Sequence, residues 1–155
     1  MHFEHIVAIN DPADPSVRPV SSESLWALLL LGVQDPRLLR PDLDHVDVIA
    51  RGPLEWERQL DFGRLEVRDK VHADPDRGLI VQQIIAPDAL AGGSRSVAME
   101  TPAEGVLLLR FRYHSPHIDA DPEVTEAHRE AFRAAYLQAD VAQVSLLREI
   151  LQSDD

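Results

Sequence analysis

Residues 54–72 read LEWERQLDFGRLEVRDKVH, two stretches in which apolar and polar side chains alternate on either side of Gly63-Arg64. Alternation is typical of a half-buried β-strand, because successive side chains point to opposite faces of a sheet. Parallel strands need a crossover of a dozen or more residues, and this connection is far shorter. The stretch therefore predicts an antiparallel hairpin with strands over 54–62 and 65–72.

The same period of two continues on both sides of this hairpin. It predicts further strands over 46–51, 78–85, 94–100 and 105–114, separated by short connections rich in glycine, proline and aspartate. Near the start of the chain, Phe3, His5, Val7 and Ile9 share one parity and predict a strand over 1–9. Together these seven strands predict one antiparallel sheet.

Helical patterns flank the strands. Ser21 or Ser22 is a good N-cap for a short helix ending near Gly32, and a second short helix is expected over 35–39. A long helix is expected over 122–151. These elements predict an α+β fold in one domain over residues 1–155, in which a long C-terminal helix closes a curved sheet and leaves a cavity.

The composition limits the classes of partner that we expect for this protein. The formal net charge is −12, which disfavours nucleic acid and anionic membranes. There are no cysteines, so disulfides and thiol chemistry are excluded. The apolar run 25–33 is too short to span a bilayer, and the N-terminus lacks the pattern of a signal peptide. We expect a cytoplasmic protein with no cofactor, and we interpret the histidine- and acid-rich segment 114–123 as a solvated loop without a metal.

Parity picks out polar side chains that face the predicted core. In the last strand Leu107, Leu109 and Phe111 share a face with Tyr113, whose hydroxyl would orient the polar end of a ligand, whereas the alternate arginines are solvated. In 65–72 the apolar parity makes Asp69 an inward carboxylate, which requires a partner such as Arg58 or Arg68, or else a function.

The remaining candidates follow from the same patterns. Gln83 lies between Val81 and Ile85 in parity and is expected to line the cavity. The long helix carries candidates on its apolar face, and the first helix carries one aromatic candidate. They are His128, Phe132, Tyr136 and Ala139, with Trp26 on the first helix.

Several local motifs add a family resemblance across nearly the whole chain. They are Phe3-Glu4-His5, Ile9-Asn10-Asp11-Pro12, Leu25-Trp26, Asp35-Pro36, the hairpin over 58–69 and Tyr136-Leu137-Gln138-Ala139-Asp140. With them the chain resembles the START and birch-pollen-allergen (SRPBCC) superfamily with its helix-grip fold, and more narrowly its AtaL-like proteins. The resemblance implies a pocket between sheet and long helix, and none of its motifs is a catalytic signature.

Three functions remain open at this point. The first is binding of a small hydrophobic ligand in that cavity. The second is a polyketide cyclase/aromatase- or isomerase-like enzyme in which tyrosine, Asp69 or His128 acts on such a ligand. The third is a protein-interaction domain or homodimer whose core is filled.

Overall fold

The computed structural model describes residues 1–153, in which seven strands form one antiparallel sheet with the order β1-β7-β6-β5-β4-β3-β2. Each strand from β2 onward pairs with its neighbours in sequence, and β1 pairs with β7. The strands are β1 (His2–Asn10), β2 (His45–Gly52), β3 (Glu55–Asp61), β4 (Glu66–Asp74), β5 (Leu79–Ala86), β6 (Ser94–Glu100) and β7 (Leu107–His114). The predicted meander is confirmed.

The helices lie between β1 and β2 and after β7. Helix α1 (Ser22–Gln34) begins at the N-cap Ser21, whose hydroxyl accepts a hydrogen bond from the Ser24 amide, and a 3-10 turn (Pro36–Leu38) follows it. Helix α2 (Pro116–Asp119) and helix α3 (Glu126–Ser153) complete the chain. This is the helix-grip architecture that the sequence predicts.

Some boundaries differ from the sequence prediction. The second short helix is only a 3-10 turn, and α3 begins at Glu126 rather than near residue 122. The segment expected to be a solvated loop contains the one-turn helix α2, which is possible because Pro116 occupies a first-turn position that needs no amide donor.

The core lies on the face of the sheet that carries the predicted inward parity. In β4 every second residue is buried, namely Val67, Asp69, Val71 and Ala73. In β7 Leu109 and Phe111 are almost fully buried. The remaining core comes mainly from α1 and the C-terminal half of α3, including Leu25 and Leu147.

Helix α3 packs along the edge strand β1. The ring of Tyr136 lies 6.3 Å from that of Phe3, and further along Arg148 donates to the Ala8 carbonyl oxygen at 3.0 Å. Among residues 1–153 no helix combines the length and the apolar character needed to cross a membrane.

Candidate functional site

A cavity of about 730 Å³ lies between the sheet, α1 and α3. This volume is within the range of roughly 300–1,000 Å³ typical of small-molecule sites. Aliphatic side chains form most of its wall, among them Val33, Leu60, Val67, Val71, Ile80 and Val97. The cavity can therefore hold a mostly apolar molecule.

One buried ion pair stands in the wall formed by β3 and β4. Arg58 donates from Nε to Asp69 Oδ1 at 2.9 Å and from Nη2 to Oδ2 at 2.7 Å. Gln82 of β5 adds a third donor, with its Nε2 2.7 Å from Asp69 Oδ2. This bidentate arrangement satisfies a carboxylate that is completely removed from solvent.

A second ion pair joins the sheet to α3. Arg95 Nη2 donates to Asp140 Oδ1 at 2.8 Å and to Gln143 Oε1 at 2.7 Å. Arg95 Nε donates to the Tyr113 hydroxyl at 3.0 Å, and that hydroxyl in turn donates to Asp140 Oδ2 at 2.6 Å. Asp140 is thus a buried helix carboxylate held by two strands.

These two clusters are neighbours across the sheet. Gln82 stands directly opposite Arg95 in the pairing of β5 with β6, and Arg95 stands opposite Tyr113 in the pairing of β6 with β7. A continuous row of polar side chains therefore crosses the inner face of the sheet. We call it the polar belt, and its members are Arg58, Asp69, Gln82, Arg95, Tyr113, Asp140 and Gln143.

Burial and charge both act on the belt's titratable groups. Burial raises the pKa of Tyr113 above its ordinary value and the Asp140 carboxylate raises it further, while Arg95 opposes both effects. Burial acts to lower the pKa of Arg95, but the oxygens of Tyr113 and Asp140 outweigh it and raise that pKa. The neutral phenol and the charged guanidinium are therefore the favoured forms.

Aromatic rings surround the Tyr113 end of the belt. Tyr113 and Tyr136 stack with centroids 4.2 Å apart and planes 3° from parallel. His5 packs against the Phe111 ring, and its Nε2 lies 2.8 Å from Asp140 Oδ2, an ion-pair distance without hydrogen-bond alignment. The stacked ring of Tyr136 packs against that of Tyr113, and the hydrogen bonds with Arg95 and Asp140 direct the Tyr113 hydroxyl.

The opening of the cavity lies near the 3-10 turn and the β3–β4 connection. Arg40 lies over the Phe62 ring at 5.1 Å and pairs with Asp42 at 3.1 Å. Leu65 lines the same region and is 42% exposed. The side chains of Arg40, Asp42 and Leu65 thus border the opening and are exposed to solvent.

The structure brings four of the predicted site residues to the cavity. Tyr113, Tyr136 and Ala139 line it, and Asp69 is bonded to the lining residues Arg58 and Gln82. The predicted inward orientation of Tyr113 and Asp69 is confirmed, as is the pairing of Asp69 with Arg58. Their contact with a ligand remains a prediction.

The expectation for Gln83 is wrong, and Gln82 takes its place. Gln83 is exposed and stands opposite Lys70 on the outer face, whereas Gln82 stands opposite the buried Val71. Strand β5 carries aliphatic side chains on both parities, so its own pattern does not select the inner face. Pairing with β4 decides it.

Three other predicted residues lie outside the cavity lining. His128 is exposed and its Nδ1 accepts from the Thr125 amide, so it serves the start of α3. Phe132 is 37% exposed and does not line the cavity. Trp26 packs against the core, while the part of α1 that faces the cavity begins one turn later at Leu29.

Sequence reasoning did not find Arg95, Asp140 or Gln143. The inward-facing stripe of α3 runs through the half-buried Tyr136 and the buried Asp140, Val144 and Leu147, and the charged Asp140 interrupts its apolar character. A spacing of four from Tyr136 is the only local signal for it. Its partner Arg95 is forty-five positions away, and only the sheet brings them together.

The comparisons agree with this geometry. The family model of AtaL, described as "Acetylaranotin biosynthesis cluster protein L", matches residues 7–154. The chain belongs to the AtaL family. No curated protein matches this AtaL-family chain.

Solved structures similar to this AtaL-family protein share its fold. The di-domain ARO/CYC StfQ from the steffimycin biosynthetic pathway has a TM-score of 0.68 at 14% identity, over 99% of this chain and 51% of StfQ, so the chain spans about half of that protein. Truncated norcoclaurine synthase from Thalictrum flavum has 0.67 at 13% identity, over 97% and 92%. The Zhui aromatase/cyclase from Streptomyces sp. R1128 has 0.62 at 18% identity, over 98% and 93%. They support the START-like fold.

Proposed function

We propose that this AtaL-family protein binds a small, mostly apolar molecule in the cavity between the sheet and α3. The observation that carries the proposal is the 730 Å³ cavity itself, with an aliphatic wall and a single polar belt. Burial of apolar surface would supply most of the affinity, at about 25 cal/mol per Å². The belt would orient the polar end of the ligand.

The shape of the site supports this proposal over a filled core. Ala139 and Ala142 line the cavity from α3, and their small side chains leave space that larger residues would occupy. A cavity lined by aliphatic groups loses dispersion contacts when it is empty. An apolar ligand restores those contacts.

The test is a fluorescence titration with N-phenyl-1-naphthylamine, a neutral apolar dye. The variant Ala142→Phe places a ring in the cavity and is expected to weaken dye binding at least tenfold. Ala134→Phe is the matched control, because Ala134 is an exposed alanine of the same helix that does not line the cavity. Equal binding by both variants and the wild type would contradict the proposal, as would no binding at all.

A cyclase- or isomerase-like enzyme is the second candidate, and one observation favours it. The Tyr113 hydroxyl lies between Arg95 and Asp140 in the cavity wall, where it can polarise the carbonyl oxygen of a bound ligand through a hydrogen bond. Tyr113 Oη would exchange its hydrogen bond to Asp140 for one to that oxygen and keep its proton, in agreement with its raised pKa. With a compound extracted from the purified protein as substrate, an enzyme would lose turnover in Tyr113→Phe while still binding the compound, whereas a carrier would show no turnover to lose.

A further inference from the structure

The charged residues that line the cavity are all paired with residues of opposite charge. Within residues 1–153 its lining contains three arginines, and each is paired with an aspartate. Arg40 pairs with Asp42 at the opening, and the belt contains the pairs of Arg58 with Asp69 and Arg95 with Asp140. The sum over these pairs is zero, in a protein whose formal net charge is −12. An anionic ligand finds no unpaired cation among these side chains.

Two glutamines of the belt have side-chain amides whose orientation is determined by their hydrogen-bond partners. Gln82 bonds to the Asp69 carboxylate, which only accepts, so its amide nitrogen points there and its Oε1 remains. Gln143 bonds to the Arg95 guanidinium, which only donates, so its Oε1 points there and its Nε2 remains. In the described part of the chain neither remaining group has a hydrogen-bond partner, and both side chains line the cavity.

Both glutamines are neighbours of Arg95. Gln82 stands opposite Arg95 on the neighbouring strand, and Gln143 contacts the guanidinium of Arg95 from α3. One glutamine thus offers an acceptor and the other a donor within the same stretch of the belt. This pairing matches a ligand group that itself donates and accepts.

We infer that the cavity, in the ligand-binding role proposed above, selects a neutral polar group that both donates and accepts hydrogen bonds, of which a carboxamide is the model. Its carbonyl oxygen accepts from Gln143 Nε2 and its N–H donates to Gln82 Oε1. A carboxylate lacks the donor and adds an unpaired charge to a low-dielectric site. A pure hydrocarbon leaves both glutamine groups without partners once it has displaced water.

The experiment compares four naphthalenes of one shape as competitors of N-phenyl-1-naphthylamine. They are 2-naphthamide, methyl 2-naphthoate, 2-naphthoate and 2-methylnaphthalene. We expect 2-naphthamide to compete at least tenfold more strongly than the other three. If the ester, the anion or the hydrocarbon competes as well as the amide while the dye binds normally, the inference is overturned and the proposed function stands.

Variants of the two glutamines test which groups produce the preference for 2-naphthamide. Gln143→Glu keeps an acceptor for Arg95 but removes the Nε2 donor, and we expect it to weaken competition by 2-naphthamide and methyl 2-naphthoate alike, because both present a carbonyl oxygen to that donor. Gln82→Met removes the acceptor without adding charge, and we expect it to abolish the advantage of 2-naphthamide over methyl 2-naphthoate, because only the amide has an N–H to donate. Gln138→Glu is the control, since Gln138 is exposed on α3 outside the cavity and should retain the advantage. An advantage over the ester that persists in Gln82→Met, or unchanged competition by both compounds in Gln143→Glu, contradicts the inference.

If the dye itself does not bind, or binds equally well to Ala142→Phe, the proposed function fails and the inference that rests on it fails too. The dye result and the competition result therefore separate the two claims.

Discussion

The Tyr113 hydroxyl donates a 2.6 Å hydrogen bond to Asp140 Oδ2, and this bond ties strand β7 to helix α3. Asp140 is almost fully buried, and its other oxygen accepts from Arg95. The bond thus holds the helix against the sheet at the edge of the cavity. It couples the stability of the fold to the geometry of the proposed site.

Removal of this hydroxyl should destabilise the protein measurably. Tyr113→Phe keeps the ring and its stacking but leaves Asp140 Oδ2 without its donor, and we expect a loss of about 1–3 kcal/mol in the free energy of unfolding. Tyr136→Phe is the control, because its hydroxyl makes only a 3.4 Å contact with Ser115. Urea unfolding measures both, and equal losses would contradict the assigned role of Tyr113.

The ionisation of Tyr113 gives a second prediction. Its pKa is raised from 10.0 by burial first and then by Asp140, so the folded state holds this proton more tightly than the unfolded state does. Stability from this group is present below pH 10 and is lost as the pH rises further. In Tyr136→Phe, where Tyr113 is the one remaining tyrosine, phenolate absorbance should therefore rise only above pH 10 while the protein is folded. Half-ionisation at or below pH 10 would contradict the prediction.

The pair of Arg58 and Asp69 should behave as a buried ion pair. Asp69→Ala leaves the Arg58 guanidinium buried without its partner, and we expect a loss of about 3–5 kcal/mol in the free energy of unfolding. The double variant Arg58→Met with Asp69→Leu should recover much of this loss, because it leaves no uncompensated charge.

Asp42→Ala is the comparison for that pair, since Arg40 and Asp42 are 47% and 62% exposed. Its cost should not exceed about 1 kcal/mol. Denaturant unfolding of all three variants checks the ranking, which a similar cost for Asp69→Ala and Asp42→Ala would overturn.

The opening of the cavity should control the rate of exchange. Arg40→Ala removes the guanidinium that lies over Phe62, and we expect stopped-flow measurements to show faster association and dissociation of N-phenyl-1-naphthylamine. Arg64→Ala is the control, because Arg64 is an exposed residue of the β3–β4 connection that does not line the cavity. Unchanged rates in Arg40→Ala would place the opening elsewhere.

The sequence predicted much of the fold because the strands alternate regularly and their connections are short. The same regularity placed Tyr113 and Asp69 on the inner face, and the cost of burying a carboxylate suggested Arg58 as a partner for Asp69. In β5 both parities are aliphatic, so the alternation was uninformative there. The sequence pattern favours Gln83 as the inward-facing residue, whereas pairing with β4 places Gln82 on the inner face.

The second half of the site depends on contacts between distant segments. The hydrogen-bond donors of the buried Asp140 are Arg95 and Tyr113, which reach it from β6 and β7. No local pattern in the sequence of α3 predicts those partners. A carboxylate within an apolar stripe indicates only that the stripe is interrupted. The register of the sheet and the angle of the helix had to be known first.

Native mass spectrometry of the purified protein, followed by denaturing extraction, tests the central claim most directly. We predict a stoichiometric small molecule that is mostly apolar, is released on unfolding and is absent from Ala142→Phe but present in Ala134→Phe. Protein that is consistently empty, and whose melting temperature no member of a diverse library of apolar compounds raises, would contradict the claim that this cavity is a ligand-binding site.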